Sequence, residues 1–203
     1  MKAFDDLLEV ARVLNAPGGC PWDLKQTFFS LQPYVLEEAH EVVEAVDGQN
    51  DKEIVEELGD LLYTVIFYAK VAEKDSRFTM EDILVAVKEK LIRRHPHVFG
   101  TSSANTEEEV VKNWDLIKNS EEGKKDRKTP LEGIPDQLPL LAKAQKMLKV
   151  FHKEKFKASS QEGDLGDSLW LLVEEAESLG LDLESVFRRR LEEKKKQFLD
   201  RER

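Results

Sequence analysis

The sequence predicts an all-α protein, and three of its properties lead to that prediction. Apolar residues recur at intervals of three and four through most of the chain, the spacing that lines one face of a helix. Glycine and proline, which interrupt helices, number only ten and seven among 203 residues. Charged residues make up 35% and hydrophobic residues 40%, a mixture that suits amphipathic helices around a core. A chain of this length forms one large or two small domains.

Net charge and cysteine content narrow the classes of protein to be considered. A net charge of −10 argues against a nucleic-acid-binding surface, although a metal ion and a few local cations can still accommodate a nucleotide. Cys20 is the single cysteine, so no internal disulfide can form and a reducing compartment is expected. The N-terminal residues contain no secretory apolar core, and no apolar run approaches the roughly 20 residues of a membrane helix. We therefore expect a cytoplasmic protein with no membrane partner.

The first predicted helix covers residues 4–14, whose apolar side chains fall on one face. Residues 15–19, which read NAPGG, end this helix because proline and glycine break helical structure. A loop is predicted over residues 20–29. Its aromatic residues, among them Trp22, are expected to plug the core as part of this connection.

Two acidic helices are predicted next, over residues 31–47 and 51–73. Each carries two acids three residues apart, and the four acids are Glu38, Glu41, Glu57 and Asp60. Residues at that spacing share a helix face, so an antiparallel hairpin would bring the four carboxylates together. Carboxylates that close repel one another, and a hard divalent cation, Mg²⁺ or alternatively Mn²⁺, would neutralise them. The alternative is a solvated acidic face, the common arrangement for a Glu-rich helix.

The following helix is predicted over residues 80–94. Thr79 suits its N-cap, and Asp82 stands three residues further on, as in a capping box. Its last turns carry Lys90 and Arg94, which are four residues apart and therefore on one face. Cations at a helix C-terminus are favoured by the helix dipole alone. Arginine also suits bidentate contact with phosphate, so a binding role stays open.

Residues 95–97, which read HPH, end that helix because the residue before a proline avoids the α region. The two histidines are interpreted as part of a shaped corner, since no cysteine or third histidine stands nearby at metal-ligand spacing. Another short helix is predicted over residues 106–118. Its Trp114 either joins the core or stacks on a base.

The segment over residues 119–137 is charged and contains glycine and proline, which predicts a linker. It separates a first domain over residues 1–118 from a second helical domain over residues 138–203. Residues 164–170, which read DLGDSLW, echo residues 57–63, which read ELGDLLY, and so indicate an internal repeat.

The second copy of the repeat is degenerate. No helix with paired acidic motifs precedes Asp164 in the way that residues 37–41 precede Glu57. The acids Glu174, Glu175 and Glu177 come later and at a different spacing, so we interpret them as a solvated face. The second domain is therefore expected to be structural or to form a dimer contact.

Three blocks of sequence carry a family resemblance. The acids follow the pattern EExxE over residues 37–41 and ExxD over residues 57–60. Residues 19–23 read GCPWD, and residues 93–99 read RRHPHVF. The acidic pattern alone is moderately specific, whereas all three blocks, in their order and spacing along the chain, are highly specific. Together they resemble the MazG family of all-α nucleoside triphosphate pyrophosphohydrolases, over roughly residues 1–120.

The resemblance implies a fold and a reaction. The fold is a helical bundle whose four-helix core is completed in a homodimer or a higher homo-oligomer, because one helical hairpin cannot bury both its faces. The reaction is Mg²⁺-dependent hydrolysis of a nucleoside triphosphate to the monophosphate and pyrophosphate, by attack at the α-phosphate. Broad specificity and the removal of unwanted nucleotides from the nucleotide pool are implied by the same resemblance.

The resemblance also implies roles for individual residues. The metal ligands would be Glu38, Glu41, Glu57 and Asp60. Glu37, beside them, would orient or deprotonate the attacking water. The phosphate contacts would be Lys90, Arg94 and Lys118, and the contacts to the base would be Trp22 and Trp114.

Two other classes of function fit parts of the same pattern. A non-catalytic helical module would bind nucleotide with Mg²⁺, or a partner protein, and turn over nothing. A structural bundle with a solvated acidic face would show no thermal shift on addition of metal.

Overall fold

All the regular secondary structure in the part that the structure describes is helical, with no strand there, which confirms the all-α prediction. The computed structural model describes residues 1–121, 127, 129–156 and 164–199. The helices in chain order are α1 (Lys2–Leu14), α2 (Gln32–Gly48), α3 (Asp51–Lys74), α4 (Met80–Arg94), α5 (Pro96–Phe99), α6 (Glu107–Ser120), α7 (Leu140–Lys153), α8 (Leu165–Ser178) and α9 (Leu183–Leu199). Short 3₁₀ turns occur at Asp23–Lys25 and Pro130–Gly133. No helix among the described residues is long and apolar enough to cross a membrane.

The chain divides into two compact units, Met1–Trp114 and Asp115–Arg203. Helix α6 contributes residues to both units. The predicted linker over residues 119–137 lies in the second unit, and its residues 122–126 and 128 are outside the described part of the chain. The predicted domain bounds stay predictions.

The first unit is organised around α3. Its C-terminal half supplies the buried residues Thr64, Ile66, Phe67, Ala69, Val71 and Ala72. Helix α1 packs onto this half through Ala11, beside Met80 at the start of α4. Leu31, just before α2, packs against Phe67 and Val71 on the other side of α3. The core therefore lies at the C-terminal half of α3 and leaves the N-terminal half outside it.

The turn between α2 and α3 places the two acidic helices side by side. Gln49 ends α2 in the left-handed conformation, with a φ of 54°. The side chain of Asn50 then caps α3 by accepting a hydrogen bond from the Lys52 backbone N–H at 3.2 Å. Because only two residues separate the helices, α2 turns back and packs along α3.

The observed ends of the acidic helices and of α4 agree with the predictions to within one residue. Local signals explain the agreement at α4. Thr79 Oγ1 accepts from the Asp82 backbone N–H at 3.2 Å, and the Asp82 carboxylate accepts from the Thr79 backbone N–H at 2.8 Å. Helix α5, by contrast, was predicted only as a corner, and Pro96 begins it in the first-turn position that proline favours.

In the second unit, α7 packs against α8 and α9. Buried Gln145 fixes this arrangement: its Nε2 donates to the Leu181 carbonyl at 2.8 Å, and its Oε1 accepts from the Leu183 backbone N–H at 3.0 Å. The Asp164 side chain caps α8 by accepting from the Asp167 backbone N–H at 3.0 Å. Asp164, the first acid of the second repeat copy, is thus the N-cap of α8.

Candidate functional site

Three glutamates on α2 and α3 meet at one point of the first unit. Glu38, Glu41 and Glu57 each place a carboxylate oxygen within 4.8 Å of the others. Glu38 and Glu41 are one turn apart on α2, and Glu57 faces them from α3. We call these three residues the acid cluster. Among the described residues, it is the one group of three or more histidine, cysteine or acidic side chains close enough to share a metal ion.

Asp60, the fourth predicted ligand, lies one turn after Glu57 on α3 and is exposed. The structure does not bring it into the group of three, yet its negative charge acts on both Glu38 and Glu57. It therefore stands at the edge of the cluster.

The electrostatics of the cluster are those of repelling carboxylates. Burial raises the pKa of Glu38, and repulsion from Glu41, Asp60 and Glu57 raises it further. Burial likewise raises the pKa of Glu57, with further contributions from the charges of Glu41 and Asp60 and from a side-chain hydrogen bond with Glu41. Both shifts mean that the protein penalises the ionised form of these acids.

The donor set fits a hard divalent cation. Mg²⁺ and Mn²⁺ prefer carboxylate oxygens, and three of these lie within the span of one coordination sphere. A cation at this point would also offset the mutual repulsion that raises the pKa of Glu38 and of Glu57.

Glu37, the predicted base, is exposed on α2 next to Glu38 and adds to the negative charge that acts on it. It lies outside the acid cluster, beside the predicted ligands and not at one of their i, i+3 positions. Its exposed side chain is accessible to solvent beside the acid cluster.

The two predicted phosphate contacts on α4 have different environments. Lys90 is exposed, whereas Arg94 is only 7% exposed. The Arg94 guanidinium lies 5.2 Å from the ring centroid of Trp114 on α6. The structure thus brings together one predicted phosphate contact and one predicted base contact.

The histidines of the corner before α5 join this pair. The ring of His95 meets Trp114 edge-on, with a centroid distance of 4.9 Å, and His97 lies 5.6 Å from His95. The Nδ1 atom of His97 is buried without a hydrogen-bond partner among the described residues. Sequence reasoning assigned these histidines to a shaped corner and missed their contact with Trp114. The HPH motif marked the position but not this environment.

Trp22 has features of both roles predicted for it, core packing and contact with the base. Its ring packs edge-on against Tyr34, with 5.6 Å between the ring centroids, and lies tilted against Phe67 of the core, at 6.0 Å. The side chain nonetheless stays 48% exposed. Lys118, the remaining predicted contact, lines a cavity built wholly from residues of the second unit.

The helical hairpin and its acid cluster define an all-α protein with a candidate site for a divalent cation. Residues 26–99 match the MazG nucleotide pyrophosphohydrolase domain. The chain is 35% identical over 209 residues to the nucleoside triphosphate pyrophosphohydrolase/pyrophosphatase MazG of Thermotoga maritima, a match that covers 92% of this chain and 80% of that protein. The chain belongs to the MazG family.

Other relatives match a smaller share of their own length. The nucleoside triphosphate pyrophosphohydrolase of Escherichia coli (strain K12) is 45% identical over 150 residues, which are 73% of this chain and 57% of that protein. The chain thus spans a little over half of that relative. A crystal structure of a MazG-related protein from Thermotoga maritima, 33% identical, aligns with a TM-score of 0.49 over 57% of this chain and 98% of that one.

Proposed function

We propose that this protein hydrolyses nucleoside triphosphates to the monophosphate and pyrophosphate, with Mg²⁺ as cofactor. The observation that carries the proposal is the acid cluster, in which two helices aim three carboxylates at one point. Family membership supports the same reaction, because relatives at 35% and 45% identity are named nucleoside triphosphate pyrophosphohydrolases.

The metal ligands in this proposal are the acid cluster together with Asp60. A bound Mg²⁺ would supply positive charge to the phosphate oxygens and lower the pKa of a water molecule. The three clustered carboxylates would hold that ion, and the ion would supply the positive charge that a polyphosphate needs at this acidic site. Exposed Asp60 is free to turn toward the cluster by a side-chain rotation.

Glu37 acts on the attacking water. It accepts a proton from the water as the oxygen bonds to the α-phosphorus, while the bond to the oxygen bridging the α- and β-phosphorus breaks. Lys90 and Arg94 donate hydrogen bonds to the β- and γ-phosphates and so stabilise the charge of the leaving pyrophosphate. Arg94 does so from beside Trp114, which links phosphate binding to base binding.

Trp22 and Trp114 provide aromatic faces for the base. Every base has a π face, so stacking discriminates weakly among bases. We therefore propose broad specificity and, with it, a role in clearing unwanted nucleotides. Lys118 stays a proposed phosphate contact, and the cytoplasmic location stays a prediction.

A second copy of the chain completes the four-helix core in this proposal. The N-terminal half of α3 exposes Val55 and Leu58 at 72% and 50%. On α4, Leu84 and Leu91 are exposed at 42% and 43%. Apolar residues at helical spacing on two neighbouring helices suit a helix–helix interface.

The reaction is tested by product analysis with purified protein. We expect pyrophosphate and nucleoside monophosphate in equal amounts, with no orthophosphate until a pyrophosphatase is added, and no turnover in EDTA. Glu57→Gln should lower kcat/KM by more than the roughly 10- to 100-fold that the loss of an outer-shell partner costs, because it removes a direct ligand. Glu44→Gln, which changes an exposed glutamate elsewhere on α2, is the matched control.

Unchanged turnover in Glu57→Gln would refute the ligand assignment. Nucleotide binding with Mg²⁺ but without turnover would instead favour a non-catalytic binding module. Orthophosphate as the first product would place the attack at the γ-phosphate and contradict the proposed reaction.

A further inference from the structure

The second unit contains an open cavity of about 430 Å³ with a strongly basic wall. Three segments form it: the end of α6, the stretch around the 3₁₀ turn Pro130–Gly133, and one face of α7. Five of the lining side chains that the structure describes are cationic, and these are Lys118, Arg127, Lys146, Lys149 and Lys153. Among the described lining residues, Asp115 is the one acid. This local surplus of positive charge contrasts with the net charge of −10 of the whole chain.

Internal ion pairs neutralise only part of this charge. Lys153 Nζ lies 3.0 Å from the Asp115 carboxylate, so the charge of Asp115 is paired with Lys153. Lys149 lies 3.7 Å from Glu177 of α8. In the described part of the chain, no carboxylate pairs with the other three cations, which are Lys118, Arg127 and Lys146.

Ordinary structural reasons explain single members of this group but not their convergence. Lys146, Lys149 and Lys153 share one face of α7, and a solvated helix face would by itself explain their spacing. Lys118 is close to the C-terminus of α6, which favours a cation. Neither reason explains why cations from three separate segments face one cavity, since like charges repel one another there.

Arg127 is held close to the turn that closes the cavity. A Cβ atom added to Gly133 would lie 2.7 Å from an Arg127 guanidinium nitrogen. The guanidinium therefore occupies the space that glycine leaves open. This packing restricts a long side chain that would otherwise extend into solvent.

We propose that this cavity binds a polyphosphate chain, either inorganic pyrophosphate or the phosphates of a nucleotide, without a divalent cation. The cavity holds several lysines as point charges and an arginine suited to bidentate contact with phosphate oxygens. Thr129 and Asn119 add hydrogen-bond donors to its wall. Its volume is within the usual range for small-molecule sites. The acid cluster, in contrast, attracts a polyphosphate only through a metal ion.

The test is calorimetric titration of the full chain with inorganic pyrophosphate, in EDTA and at low ionic strength. We expect one site per chain. Lys146→Ala and Arg127→Ala should each weaken binding by about tenfold, the worth of one charge-assisted hydrogen bond. Higher salt should weaken it in the wild type.

Two control variants make the result specific. Lys194→Ala removes an equal charge from an exposed position on α9 and should leave the affinity unchanged. Glu57→Gln disables the acid cluster and should also leave it unchanged, so failure of the proposed hydrolysis would not affect this test. Absence of binding in EDTA, or equal losses in Lys194→Ala and Lys146→Ala, would overturn the proposal.

Titration with a nucleoside triphosphate under the same conditions identifies the source of the phosphates. Equal affinity for the nucleotide and for pyrophosphate would support recognition of the chain of phosphates alone. Tighter binding of the nucleotide, reduced in Lys146→Ala, would support a nucleoside contact with the apolar part of the wall, formed by Ile134 and Val150. Binding of the nucleotide that Lys146→Ala and Arg127→Ala leave unchanged would overturn the assignment to this cavity.

Discussion

Glu57 shows how a proposed metal ligand can destabilise the fold that carries it. Its pKa is raised by burial first and then by the charges of Glu41 and Asp60. A carboxyl group whose pKa is raised by folding favours the folded state when it is neutral and disfavours it when it is ionised. At neutral pH and without metal, the acid cluster therefore opposes folding, and a bound cation would reverse that effect.

The first residue-level prediction follows from this repulsion. Glu57→Gln should raise the melting temperature of the metal-free protein, because it removes one of the repelling charges. The same change should abolish the rise in melting temperature that we expect Mg²⁺ to give the wild type. Differential scanning fluorimetry with and without Mg²⁺ measures both effects. Glu44→Gln serves as the control and should retain the shift with metal. A destabilised metal-free Glu57→Gln would show that the cluster is held by attractions instead.

The second residue-level prediction concerns pH. Because folding raises the pKa of Glu57 above its ordinary value, the neutral form becomes populated as the pH falls from neutrality toward the ordinary pKa of a glutamate. The wild-type side chain then resembles glutamine, so the stabilisation in metal-free Glu57→Gln should shrink over that range. Mg²⁺ affinity should fall over the same range, because protons compete for the carboxylates. Thermal melts and Mg²⁺ titrations across this range measure both trends, and a gap in melting temperature that widens on acidification would contradict the assignment.

At the scale of the helix, the predicted ends were accurate where a side chain closes the turn. Asn50 and Thr79 both accept hydrogen bonds from backbone N–H groups that the first turn leaves unpaired. Such caps depend on residues within three positions of the helix start, so the sequence can predict them. Helix α5 is a single turn of four residues, too short for a periodic signal, and was not predicted.

The element-level prediction concerns the capping box of α4. Thr79→Ala removes the acceptor for the Asp82 backbone N–H and should cost about 1 kcal/mol of stability. For a chain of this size, the melting temperature should fall by about 2 to 4 °C. Thr101→Ala, at an exposed position outside the helices, is the control and should have little effect. Equal melting temperatures for Thr79→Ala and the wild type would mean that packing alone determines where α4 begins.

At the scale of the whole molecule, the core of the first unit leaves apolar residues of α3 and α4 uncovered. An amphipathic helix gains most of its stability from burying its apolar face. Leu84 and Leu91 are both more than 40% exposed in the single chain. A second copy that covers them would complete the four-helix core predicted from the sequence.

The whole-molecule prediction tests this assembly. The wild type should sediment as a dimer at micromolar concentration, because a second copy would bury these exposed apolar residues. A stable interface typically buries about 800 Å² per partner. Leu84→Glu should shift it to a monomer, because a charge at the interface would be buried without a partner. Leu140→Glu, at a leucine that is 83% exposed in the second unit, should leave the dimer intact. A wild type that sediments as a monomer would contradict the proposed assembly.

The sequence alone determined the class of the fold, the bounds of the two acidic helices and of α4, and the faces on which the acids lie. All of these are local properties, because helical periodicity and capping involve residues within a turn or two of one another. The same local rule placed Glu38 and Glu41 on one face of α2, one turn apart.

Only the tertiary structure decided which side chains meet. It brought Glu57 across to Glu38 and Glu41 while leaving Asp60 at the edge, and it buried Arg94 against Trp114. It also gathered basic residues from distant parts of the second unit around Lys118. These outcomes depend on how each helix is rotated and packed against its neighbours, and spacing along the chain does not encode that rotation.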